Sequence, residues 1–153
     1  MHVIAGKAAA FGEALKPEFK ERQIQTVKNA AAMCDEFIKL GISVVGNTTE
    51  NHLMLIDVKK SCGLTGKVAE KILDSVHITC NKNSIPNDTE KPFITSGLRI
   101  GTPAITTRGF KEAEARKVAQ LINKALRNHE NKAVLEEVKK DVLNLLKKFP
   151  LYE

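Results

Sequence analysis

The spacing of apolar residues changes twice along this chain, and those two changes constrain its fold more than any other feature. Up to Gly41 the hydrophobic residues recur at three and four positions, from Ile42 to about Val58 they form short β-branched runs, and from Phe110 onward the helical spacing returns. Such a pattern reads as helices packed on a short sheet. The alanine-rich segment His2 to Leu15 carries Val3, Ile4, Ala8, Phe11 and Leu15 on one stripe and reads as a helix in need of a partner. Pro17 suits the first turn of a second helix, in which Ile24, Val27, Ala31, Cys34 and Ile38 form the expected inward stripe and Gly41 the stop.

Two adjacent strands are expected at Ile42–Val45 and His52–Val58, joined through Gly46-Asn47-Thr48-Thr49. Thr65 is placed to cap a helix running to about Ser75, and Val76–Thr79 reads as a further short strand. The polar stretch Asn81 to Pro92 holds Pro86 and Pro92 and reads as an irregular loop. Two more helices follow, with stripes Phe110, Ala113, Val118, Leu121, Ile122, Ala125 and Val134, Leu135, Val138, Val142, Leu145, Leu146, Phe149. The expected fold class is therefore α/β, an α+β sandwich in which helices cover a short sheet, without internal repeats.

With 153 residues, 42% hydrophobic and 27% charged, the chain has the length and composition of one globular domain. It lacks a run of about 20 apolar residues and a secretory leader, so a membrane protein or a secreted one is not expected and a cytoplasmic location is. Cys34, Cys62 and Cys80 are widely spaced and have no metal-ligand companions, which speaks against a zinc site or a disulfide framework. The net charge of +6 raises the question of nucleic acid. Its basic pairs, Lys59-Lys60, Lys139-Lys140 and Lys147-Lys148, are scattered, and the last two lie among Glu136, Glu137 and Asp141 on helix faces, the pattern of a solvated surface.

One strand carries the chemistry. In Ser96-Gly97-Leu98-Arg99-Ile100-Gly101-Thr102-Pro103, alternation sends Leu98 and Ile100 to one face and Gly97, Arg99 and Gly101 to the other. Glycines on both sides are expected to leave open space around the guanidinium, whose fork matches a carboxylate or phosphate. Structural pairing with a core carboxylate is the alternative. Upstream, Asn81-Lys82-Asn83-Ser84 offers two amides, an ammonium and a hydroxyl, a set able to satisfy a heteroaromatic ring or simply to form a turn. His52 and His77 have no triad partners and read as packed or capping residues, and Lys7, Lys67 and Lys82 have no local signature of an activated amine.

The segments Met1-His2-Val3-Ile4-Ala5-Gly6-Lys7-Ala8, Asn51-His52-Leu53, Asn81-Lys82-Asn83-Ser84-Ile85-Pro86-Asn87-Asp88 and Lys91-Pro92-Phe93-Ile94-Thr95-Ser96-Gly97-Leu98-Arg99-Ile100-Gly101-Thr102-Pro103-Ala104 closely resemble the serine (glycine) hydroxymethyltransferase family, in its C-terminal third. The resemblance implies a pyridoxal-phosphate enzyme of aspartate-aminotransferase-like fold. Such an enzyme is a transferase of one-carbon metabolism and amino-acid biosynthesis, interconverting serine plus tetrahydrofolate with glycine plus 5,10-methylenetetrahydrofolate, in family members that are homodimers or homotetramers. It further implies a short, mostly antiparallel sheet, with residues 1–15 belonging to the end of the large domain and 16–153 forming the small C-terminal domain. By motif, Arg99 corresponds to the residue that holds the substrate α-carboxylate, and Asn83, Lys91, Pro92 and Phe93 to folate contacts.

The same resemblance implies that the lysine anchoring the cofactor, the aspartate at its ring nitrogen and the histidine stacked on it have no counterparts among these residues. The chain is thus expected to be a truncated fragment without a catalytic residue of its own and inactive alone. Alternative expectations are a standalone folate or small-carboxylate module, or an assembly piece that complements a separate N-terminal part. The first helix is expected either to associate with another copy or to dock on its own domain.

Overall fold

The structure, a computed structural model, describes residues 1–150; the last three residues of the expected 16–153 domain lie outside the described residues. Its elements are α1 (His2–Ala14), α2 (Pro17–Lys39), β1 (Ser43–Val44), β2 (Leu53–Asp57), α3 (Val58–Cys62), α4 (Gly66–Ser75), β3 (Asn81–Asn83), β4 (Gly97–Gly101), α5 (Pro103–Thr107), α6 (Glu112–Arg127) and α7 (Lys132–Lys147). The four strands form one sheet in the order β1-β2-β4-β3, every neighbouring pair antiparallel. This is the small α/β fold that the period changes imply.

One face of the sheet is the core. Met54 and Ile56 of β2, Leu98 and Ile100 of β4 and Val44 of β1 are buried in a continuous cluster with Met33 and Phe37 of α2, Leu73 of α4 and Leu121, Ile122 and Leu126 of α6. Val138 and Val142 of α7 close the cluster from behind. Local chemistry fixes the ends of the elements. Thr65 Oγ1 accepts the Val68 N–H at the start of α4, as its sequence position implies, and Asp57 Oδ1 accepts the Lys60 N–H at the start of α3. Pro17 opens α2, and Gly41 follows it with φ +74°, a conformation open to glycine at little cost.

The inward face of α2 differs from the expected one. Thr26, Asn29, Ala30, Met33, Cys34 and Phe37 are buried, whereas Ile24, Val27 and Ile38 are 49%, 41% and 41% exposed. The cause is polar. Asn29 Nδ2 donates to Thr106 Oγ1 (2.8 Å) and to the Phe110 carbonyl (2.9 Å), and Thr102 Oγ1 donates to the Thr26 carbonyl (2.8 Å). Helix α5 supplies Thr106, and the residues flanking it supply Thr102 and Phe110; together they turn a polar stripe of α2 inward, since buried polar groups must be paired. That helix is itself a departure, because the arginine strand ends at Gly101 and Pro103 begins a helix instead of closing the strand.

Two more elements move. Val76–Thr79 is not a strand: the Val76 and Ile78 N–H groups donate to the Leu73 carbonyl, the His77 N–H donates to that of Asp74, and His77 sits at φ +64°. Those bonds finish α4 with a left-handed residue instead of starting a ladder. The strand lies further on, at Asn81–Asn83, within the stretch expected to be loop. Helix α1 forms as expected but buries no residue: Val3, Ile4, Phe11 and Leu15 are between 55% and 88% exposed. It therefore does not dock on its own domain.

Candidate functional site

The second face of the sheet is only partly covered, and the register shows what stands on it. Leu55 of β2 faces Arg99 of β4, which faces Asn81 of β3, so these three side chains form one row on the face opposite Leu98 and Ile100. The next row is Asp57, Gly97 and Asn83. Arg99 and Asn83 are thus diagonal neighbours on one face, about 7–8 Å apart by antiparallel geometry. Arg99 is exposed, and among the described residues no carboxylate lies at ion-pair distance from it.

The two glycines beside the arginine have different roles. A Cβ on Gly101 would make only ordinary contacts, the nearest with the His52 carbonyl at 3.4 Å, so that side is uncrowded without being the empty space expected. A Cβ on Gly97 would lie 2.4 Å from Ile85 Cγ2 and 2.9 Å from the Asn83 carbonyl, so this glycine leaves no free space. It admits the close packing of the segment that follows β3. The cavity at Arg99 accordingly opens toward Gly101, with a volume of about 380 Å³ and a lining of His52, Leu53, Thr79, Cys80, Asn81, Arg99 and Gly101. His52 is exposed here and His77 is exposed at its turn, so neither is packed. Burial pushes the Cys80 thiol up to about 12, and the Glu70 and Asp74 carboxylates add to this, so Cys80 lines the cavity as a neutral group.

The segment joining β3 to β4 is irregular and heavily tied. Asp88 Oδ2 accepts the N–H groups of Ile85 (3.2 Å) and Ser96 (2.9 Å), and Asp88 Oδ1 accepts the Glu90 N–H (2.9 Å) and the Ser96 hydroxyl (2.6 Å). Burial raises the affinity of this carboxyl for its proton, but the Ser96 hydroxyl and the Glu90, Ser96 and Ile85 N–H groups outweigh it and hold Asp88 at about 2. The carbonyls of Ile94 and Thr95 accept the Lys67 and Gly66 N–H groups that open α4, and the Ser96 carbonyl accepts those of Val58 and Lys59 at the start of α3. Thr95 is buried at φ +60°, a left-handed conformation that a β-branched residue adopts only when its surroundings impose it. At the apex stand Lys91, Pro92 and Phe93, all exposed, with Phe93 83% so.

Of the five site residues named from sequence, the structure therefore brings Arg99 and Asn83 onto one face. Lys91, Pro92 and Phe93 lie at the apex of the loop beyond the end of the same hairpin, and none of them lines the arginine cavity. Asn83 Nδ2 donates to the Ser84 carbonyl at 2.7 Å. Sequence reasoning missed His52 as a member of this cavity and Asp88 as the centre of the loop. The spacing of Asp88 to Ser96, eight residues with a proline between, gives no local signal of a clamp.

Among the described residues none fits a covalently anchored pyridoxal phosphate. Such a lysine requires a desolvated pocket, and no lysine among the described residues is buried. Lys7 and Lys67 are exposed, and Lys82 is engaged with Glu70 at 3.5 Å. Among the described residues no cluster of three metal-ligating side chains occurs either, and no helix is long and apolar enough to cross a membrane.

Fold and site together define a small antiparallel-sheet α/β domain that presents an arginine with no ion-pair partner among the described residues beside a clamped loop. Comparison with known proteins makes this specific: the family model described as serine hydroxymethyltransferase matches residues 1–122. The chain belongs to the serine hydroxymethyltransferase family. It is 58% identical over 152 residues to the serine hydroxymethyltransferase of Janthinobacterium sp. (strain Marseille) and 57% identical to that of Ralstonia pickettii (strain 12J). The enzyme of Cupriavidus necator is 55% identical. In each case the match covers 99% of this chain and 36% of the relative, so the chain spans about a third of the length of these enzymes.

Proposed function

We propose that this chain forms the part of a serine hydroxymethyltransferase centre that binds the amino-acid carboxylate and faces the folate, and that it is inactive alone. Arg99 takes the α-carboxylate of serine or glycine through its two-pronged fork. Asn83 and the Lys91-Pro92-Phe93 apex contact the pteridine and its surroundings. Binding the carboxylate at a guanidinium carried by a strand paired on both edges orients the Cα bonds, a contribution of positioning rather than of proton transfer. The observation that carries this reading is the exposed Arg99, without an ion-pair partner among the described residues, in the same row as Asn81 and diagonal to Asn83.

What supports inactivity of the chain alone is that none of its lysines is buried among the described residues. Pyridoxal phosphate belongs to the family reaction, where it acts as the electron sink, but nothing described here would anchor it covalently. A second reading makes the chain an assembly piece working with a polypeptide that supplies the remaining length. The bare apolar face of α1 and the 36% coverage favour that reading.

Titration calorimetry of the 153-residue chain with glycine and, separately, with tetrahydrofolate tests the proposal. Arg99→Ala is expected to weaken glycine binding about tenfold or more, the scale of a lost charged hydrogen-bond pair, and to leave tetrahydrofolate binding nearly unchanged. Equal glycine affinity in the two proteins sinks the carboxylate role. A pyridoxal group fixed by borohydride onto a lysine of this chain overturns the claim that it lacks the anchor.

A further inference from the structure

The loop from Ile85 to Ser96 has no ladder of its own, yet its apex is the part expected to meet the folate. What fixes that apex is one carboxylate. Asp88 receives four donors, two on each oxygen, from three residues: Ile85 at the start of the loop, Glu90 just before the apex, and Ser96 just after it. Its grip on Ile85 also seats that side chain on Gly97, where a Cβ would stand 2.4 Å from Ile85 Cγ2. Its grip on Ser96 holds the residue that leads into β4 and whose carbonyl accepts from Val58 and Lys59.

We propose that Asp88 is the positioning residue of this site: it clamps both ends of the 85–96 loop and thereby fixes Phe93 and its neighbours relative to the strand that carries Arg99. This inference rests on the folate-facing reading above. Arg99 itself does not depend on the clamp, because the ladder partners Leu55 and Asn81 hold it from both sides. The two halves of the site should therefore respond differently to loss of the carboxylate.

Asp88→Asn is the discriminating variant. It keeps size and shape, but in either orientation of the amide an NH₂ replaces one oxygen, so two of the four donors lose their acceptor. Tetrahydrofolate affinity is expected to fall about tenfold or more, as part-buried backbone donors of the loop lose their acceptor, while glycine affinity stays within about twofold because its arginine is held independently. Val138→Ala, a cavity in the α6–α7 interface, serves as the control for general destabilisation. A merely structural Asp88 would behave like that control, with a lower melting temperature and unchanged tetrahydrofolate affinity measured well below melting, and this result overturns the proposal.

A second readout needs no ligand. In Asp88→Asn either the Ile85 and Ser96 amide hydrogens, which share Oδ2, or that of Glu90, which sits on Oδ1, should exchange about tenfold faster or more, while those of β2 and α6 keep their protection. Unchanged exchange at those three amides, or equal acceleration across the whole chain, overturns the clamp. If the unaltered chain binds no tetrahydrofolate, the folate-facing reading fails, and the exchange measurement still decides what Asp88 does.

Discussion

Helix α1 and the β3–β4 loop invert the usual expectation about order. The helix is regular, thirteen residues long, and buries nothing. The loop is irregular, yet its Ile94, Thr95 and Ser96 carbonyls are engaged with the starts of α3 and α4, and its carboxylate gathers its own Ile85, Glu90 and Ser96. Regularity of the backbone is therefore a poor guide to anchorage in this molecule. What matters is where each segment's polar groups and apolar side chains find partners, and by that measure the loop belongs to the rigid body and the helix does not.

The strongest way to break the comparison is at Gly66, the first residue of α4, against which the end of the loop packs. A Cβ on Gly66 would lie 2.2 Å from Thr95 Oγ1, 2.5 Å from the Gly97 carbonyl and 3.3 Å from Lys82 Cβ, and the carbonyl belongs to the sheet ladder and cannot retreat. Gly66→Ala should cost about 2–3 kcal/mol, the range of an overpacked site. For a chain of this size that lowers the melting temperature by about 5–10 °C. An unchanged melting temperature would show that the loop yields, and the contrast with α1 would collapse.

The elements with strong periods were legible in the sequence, as was the alternation that exposes Arg99. Features resting on contacts distant in the chain were not. The inward face of α2 was misassigned because Asn29 and Thr26 are buried by partners about 80 residues away, on and around a short α5 that carries no periodic signal. Strand β3 was hidden because Asn81-Lys82-Asn83 pairs on one edge only and shows no apolar alternation. Val76–Thr79 imitated a strand because its composition is β-like, whereas hydrogen bonds back to Leu73 and Asp74 finish a helix. For the site, the sequence marked Arg99 and Asn83 as separate candidates, and only the register of β3 on β4 makes them neighbours.

A smaller and more selective effect comes from acid. Asp88 titrates at about 2 in the folded chain, below the ordinary aspartate value near 4 that an unfolded chain would show. A depressed folded value means that the unfolded state takes up the proton first, so the stabilisation is complete above about pH 4 and is lost as the pH falls toward 2. Lys59, Lys60 and Asp57 line the same surface cavity as Asp88, and Lys59 also pairs with Glu90, so they share its field. Denaturant midpoints measured from pH 5 down to pH 2 should fall more steeply for the unaltered chain than for Asp88→Asn. Parallel curves would mean that the clamp carries no net charge-dependent stabilisation.

The smallest effects are expected in α1, and they sharpen the comparison from the other side. A Cβ on Gly12 would meet nothing within 4 Å, so Gly12→Ala should do no more than strengthen the helix, by about 1 kcal/mol of local propensity. Because α1 buries no residue, that gain is not transmitted to the core: helicity by circular dichroism should rise slightly while the melting temperature stays put. Phe11→Ser, at a side chain already 68% exposed, should likewise move stability by no more than about 0.5 kcal/mol. If Phe11→Ser instead lowers the melting temperature in a way that depends on protein concentration, the helix is covered by another copy in solution, and the unanchored region would be an interface rather than a free end.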